Sequence, residues 1–133
     1  MKITRFLIPV FAIALTGCSS MPPAAGRAKA DLETVLVVYH AKPGREGELQ
    51  AALSRAWQIY RTEHLVFAKP HTLVRATDAG DKTRFVEVFT WVKAPDHAPE
   101  DVNAIWKQEE ALCEPRTGQR GIEFGEVELI TGK

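Results

Sequence analysis

Glu87 is the residue of this chain best placed to do chemistry, because it stands alone among aromatic side chains. Along Thr83 to Val92, strand alternation puts Phe85, Glu87, Phe89 and Trp91 on one face and Val86, Val88, Thr90 and Val92 on the other. A carboxylate in such surroundings must find a partner or hold its proton to higher pH, and either outcome can make a general base. Candidate partners are Arg75 and His71, which share a face with Leu73 on the preceding strand, and His40 at the end of the first strand. An ion pair with Arg75 would keep Glu87 ionised and structural. That reading outweighs the one in which Glu87 is a catalytic or ligand-binding acid.

The four histidines offer further chemistry. His40, His71 and His97 fall at strand ends or in a loop, whereas His64 follows a helix and reads as its solvated end, where a cation is favoured. His97 is the best functional candidate among them, because Pro95 and Pro99 restrain the loop that presents it. The plainer reading, a surface histidine near a helix N-terminus, still carries more weight. No His-x-His or His-x-x-x-His spacing occurs, so no metal site is expected. Cys113 lies on the apolar face and at the C-terminus of a helix, where the dipole disfavours a thiolate, and it reads as a buried structural thiol. Trp57 and Trp106 read as core, and Glu109 interrupts the apolar face of its helix. No phosphate loop or nucleophile elbow is present, and no cofactor is called for.

The elements that must position these residues follow from periodicity. Glu33 to Ala41 is a strand apolar on both faces. Lys42-Pro43-Gly44 breaks it, and Leu49, Ala52, Leu53, Ala56, Trp57 and Tyr60 then form one stripe of an amphipathic helix over Arg45 to Arg61. Pro70 opens a strand from His71 to Thr77, and Asp78-Ala79-Gly80-Asp81 turns it into the strand Thr83 to Val92. A second helix spans Pro99 to Glu114, stopped by Pro115 and Gly118, and a last strand spans Gly121 to Ile130. Its alternating acids would discourage unwanted pairing at a sheet edge. The order is β-α-β-β-α-β, an α+β ferredoxin-like sandwich. Two helices cover one face of such a sheet. Because the first strand is apolar on both sides, the other face is expected to be covered by a second copy of the chain, making a homodimer.

Outside this domain, residues 32–133, the chain carries an export signal and a tether. Lys2 and Arg5 precede the apolar run Phe6 to Leu15, too short for the roughly 20 residues of a permanent span. Residues 1–17 therefore read as a signal peptide and 18–31 as a flexible tether. Leu15-Thr16-Gly17-Cys18 resembles the bacterial lipobox, which implies lipidation of Cys18 and attachment to the membrane through the lipid. Ser19, in place of an aspartate, resembles lipoproteins sorted to an outer membrane, facing the periplasm, where the organism has one. With Cys18 acylated, Cys113 has no partner for an intramolecular disulfide. The chain holds 17 basic and 17 acidic residues, interspersed, so no basic stripe exists for a nucleic acid.

The element order, with Val37-Val38-Tyr39-His40-Ala41-Lys42-Pro43-Gly44 leading into a helix, resembles the antibiotic biosynthesis monooxygenase-like group of dimeric α+β barrel proteins. Thr90-Trp91-Val92 followed by His97 adds to the likeness, which covers about Leu32 to Ile130. The resemblance implies the fold and a homodimer. It implies activity only broadly, since the group holds cofactor-independent monooxygenases, haem-degrading enzymes, isomerases and members without a known reaction. The haem-degrading members' asparagine in the first strand and histidine on the second helix are missing here, and only Trp91 carries over. Three functions fit these residues. The first is a lipid-anchored envelope domain that binds a small apolar or aromatic molecule, with Phe85, Phe89, Trp91, Arg75 and His71 as the binding residues. The second is a cofactor-independent monooxygenase in which Glu87, His97 or His40 deprotonates a phenolic or quinol substrate. The third is a structural envelope protein with a filled interior.

Overall fold

The computed structural model describes residues 32–130 and Gly132; the signal peptide, Cys18 and the tether lie outside the described residues. The first strand, β1 (Glu33–His40), sends Val35, Val37 and Tyr39 inward. Gly44, at φ +81°, turns the chain into α1 (Glu46–Thr62), a conformation that glycine adopts without cost. Leu49, Ala52, Leu53, Ala56 and Tyr60 form the buried stripe of α1, at the spacing the periodicity predicts.

β2 (Val66–Asp78) starts earlier than expected, running through Pro70 with an irregularity between Val66 and His71. Proline lacks a ladder donor, and β2 tolerates it because it is an edge strand. Gly80 and Asp81, both at positive φ, close the hairpin to β3 (Lys82–Trp91). The second helix, α2 (Glu100–Leu112), buries Val102, Ile105, Glu109 and Leu112. Its Glu100 and Asp101 complement the helix dipole in the first turn. β4 (Ile122–Glu126) is half the expected length: the chain leaves the ladder after Val127 N–H reaches Thr34 O at 2.9 Å.

The sheet is antiparallel with strand order β2-β3-β1-β4, the ferredoxin-like plan. Both helices lie on one face and enclose a core that includes Leu49, Leu53, Phe85, Phe89, Val102 and Ile105. On the other face Leu36, Val38, Val86 and Val88 are only half-buried and Val74 is exposed. No described helix is long and apolar enough to cross a membrane.

Candidate ligand-binding site

Between α2 and the β4 side of the sheet lies a cavity of about 370 Å³. Val35, Val37 and Tyr39 of β1 form its floor, with Phe89 and Trp91 of β3 beside them. Tyr60 of α1 and Trp106 and Glu109 of α2 form the roof, and Glu33, Pro95 and Phe124 stand with them in the wall. Phe124, on the same side of the sheet as Val37, is left 78% exposed beside the cavity. Its wall is aromatic with two carboxyls and contains no lysine, arginine or histidine.

Glu109 is the polar group inside. Its side chain is 3% exposed, and its Oε1 has no hydrogen-bond partner among the described residues. Burial raises its pKa to about 8, with the negative charge of Glu87 adding to the rise. Above it, Trp106 Nε1–H donates to the Tyr60 hydroxyl at 2.5 Å and locks the two rings of the roof. Burial also raises the Tyr60 phenol, and Glu109 pushes in the same direction.

Glu87 stands one residue behind the wall. Tyr39 O–H, whose ring lines the cavity, donates to Glu87 Oε2 at 3.2 Å. Glu87 Oε1 meets His71 Nε2 at 2.9 Å, and the His71 ring lies flat on Trp57 with centroids 3.6 Å apart. The partner of Glu87 is therefore His71 and Tyr39, and neither Arg75 nor His40. Both His71 and Arg75 sit diagonally to Glu87, whose direct cross-strand neighbour is Leu73. Trp57 of α1 settles the choice by stacking on His71, and Arg75 points to solvent with only a 3.5 Å contact to Thr83 Oγ1. Burial raises the Glu87 pKa against the opposing pull of His71 and Tyr39. Burial raises the Tyr39 phenol well above its ordinary value, with Glu87 adding to it.

Of the residues singled out in the sequence, Phe89 and Trp91 line the cavity, whereas Phe85, Arg75, His71 and Glu87 do not. His97 is exposed in the loop before α2, and its neighbours Ala94 and Pro95 reach the wall instead. His40 is 1% exposed at the far end of the sheet, where its Nε2 meets Glu123 Oε2 at 3.1 Å. Beside it Arg116 pins the loop after α2, meeting Asp78 Oδ2 at 2.8 Å and Thr83 O at 2.6 Å. Tyr39, Tyr60, Trp106 and Glu109 were not singled out as site residues. Glu109 alone had a visible signal, an acid on an apolar helix face. Among the described residues no three histidine, cysteine, aspartate or glutamate side chains are grouped to hold a metal ion.

No protein-family model matches the chain, and no curated protein sequence matches it. Among solved structures, a candidate antibiotic biosynthesis monooxygenase from Bordetella bronchiseptica is similar at 14% identity. The match covers 76% of this chain and 99% of that one, with a TM-score of 0.46. The ferredoxin-like assignment of this chain rests on its own strand order and pairing.

Proposed function

We propose that this domain binds a small apolar or aromatic molecule in the cavity between α2 and the sheet, as a homodimer held at the cell envelope by the lipid on Cys18. The observation that carries the reading is the cavity itself: about 370 Å³, walled by Tyr39, Tyr60, Phe89, Trp91 and Trp106. That volume and composition suit a molecule of one or two rings. A structural protein with a filled interior would not keep such a space beside six aromatic side chains, these five and Phe124. The uncovered valines and Leu36 on the opposite face supply the surface for a second copy. Trp91 and Trp106 in the wall make the test direct, since a bound aromatic molecule perturbs their fluorescence. Naphthalene should quench or shift that emission saturably, and Val37→Trp, which fills the floor, should abolish the effect. Emission that stays linear in ligand concentration, in both proteins alike, would refute the binding reading.

A second reading, a cofactor-independent monooxygenase, is favoured by Glu109, a carboxyl inside the cavity able to take a phenolic proton when ionised. With a hydroquinone and molecular oxygen the balanced outcome is a hydroxyquinone and water. One oxygen atom enters the ring and the other leaves as water. Oxygen consumption with a hydroquinone panel, lost in Glu109→Gln, would establish this reading. Naphthalene binding without any oxygen uptake would leave the first.

A further inference from the structure

We infer that the cavity selects an organic cation, an amine or quaternary ammonium on an apolar body, with Glu109 as its counter-ion. The inference rests on the ligand-binding reading above and specifies its ligand.

Three observations converge on a positive charge. Glu109 is almost wholly buried, lines the cavity, and leaves Oε1 without a partner. A buried carboxyl group in that condition is costly unless something supplies its missing interaction. Six aromatic rings stand in the same wall, and an aromatic face attracts a cation more strongly when water is excluded. Glu33 adds a second carboxylate to the wall, and no basic side chain lines it to cancel either charge. An anionic ligand would meet Glu33 and Glu109 with nothing to hold it. A neutral ring would fill the space and leave Glu109 unsatisfied or protonated. A phenol can donate to the carboxyl, but only a cation brings the opposite charge to it and to the aromatic wall, its apolar body lying toward Val35, Val37 and Ile122.

The titratable groups facing Glu109 are acidic, phenolic or, at Cys113 just after α2, a thiol. β1 presents Glu33 and Tyr39, α1 presents Tyr60, and β3 presents Glu87 behind Tyr39. Binding a cation should therefore ionise Glu109 and release a proton near neutral pH.

Three probes with one ring system separate the cases: 2-naphthylmethylammonium, 2-naphthol and 2-naphthoate. Calorimetric titration would use the full chain in zwitterionic lipid nanodiscs, with empty nanodiscs as blanks. At pH 7 the ammonium should bind at least about tenfold tighter than the naphthol, and the naphthoate should not bind. Buffers of different ionisation enthalpy should report close to one proton released with the ammonium. Glu109→Gln should lose both the tenfold preference and the proton release, with an unchanged circular-dichroism spectrum showing the fold intact. Glu33→Gln should lose less, because Glu33 is only half-buried. Equal or tighter binding of the naphthol or the naphthoate would overturn the inference while the cavity reading stands. So would a Glu109→Gln protein that keeps the preference. If none of the three probes binds, nor naphthalene, both readings fall together.

Discussion

At the level of single residues, Glu109 dominates the pH behaviour of the domain. Its pKa is about 8 in the folded chain against 4.5 for the free group. Between those values the folded state holds a proton that the unfolded state has released. Stability therefore falls as pH rises from about 4.5 to about 8, since a raised acid is stabilising only while protonated. One pKa unit is worth about 1.4 kcal/mol, so the loss is on the order of a few kcal/mol and is shared with Glu87, which shifts the same way. Glu109→Gln keeps the shape without the titration. Thermal melts from pH 5 to 9 should show the variant gaining on the wild type as pH rises, and parallel curves would mean that Glu109 does not titrate in that window. Cys113 gives an independent check on the same interior. Burial, with the negative charge of Glu109 adding to it, pushes its thiol up to about 12, so almost none of it is nucleophilic thiolate at pH 7. Iodoacetamide at pH 7.5, followed by mass mapping, should leave Cys113 unmodified in the native protein and alkylate it in urea. Fast native alkylation would contradict the burial seen here.

At the level of elements, α1, β2, β3 and β1 are tied by one chain of contacts running Trp57, His71, Glu87, Tyr39. Removing His71 leaves a buried carboxyl group with one partner fewer, and His71→Ala should cost about 1–3 kcal/mol in urea melts. The double variant with Glu87→Gln should cost clearly less than the two singles together, a coupling of about 0.5–3 kcal/mol expected of groups in one network. Strict additivity would show that the contacts contribute nothing jointly. The same chain marks how far the sequence could be read. Alternation in β3 was legible because a period of two is a local property, and Phe85, Glu87, Phe89 and Trp91 all point inward as it requires. The partner of Glu87 was not legible. His71 and Arg75 lie two positions either side of Leu73, and only the packing of α1 through Trp57 separates them. The cavity was hidden for a related reason. Its wall gathers residues from β1, α1, β3, α2 and β4, and no window of sequence contains them together. Even β4 was read too long, because the alternation of Glu126 and Glu128 continues past the last ladder pair, Val35 with Glu126.

For the molecule as a whole, the open face of the sheet carries the next consequence. Val74, Val86, Val38 and Glu123 lie in one row across the four strands, and Val88 and Leu36 lie in the next, beside Thr72. In the single chain Val74 is exposed and Leu36, Val38, Val86 and Val88 are half-buried, and contiguous apolar patches left in contact with water mark interaction sites. A twofold axis through the sheet would bring Val86 and Val88 of one chain near the same strand of the other. Each substitution there then acts twice. Val86→Asp places a carboxylate in the middle of the face, where it would be desolvated on association and would meet its own copy. The wild-type domain should sediment as a dimer at micromolar concentration, and the variant as a single chain under the same conditions. In a single chain Val86→Asp sits on an uncovered sheet face, and its effect on the melt should stay small, within the range of surface substitutions. A wild type that sediments as one chain would remove the dimer. A variant that stays dimeric would instead move the interface to another surface, such as the Phe124 edge beside the cavity mouth.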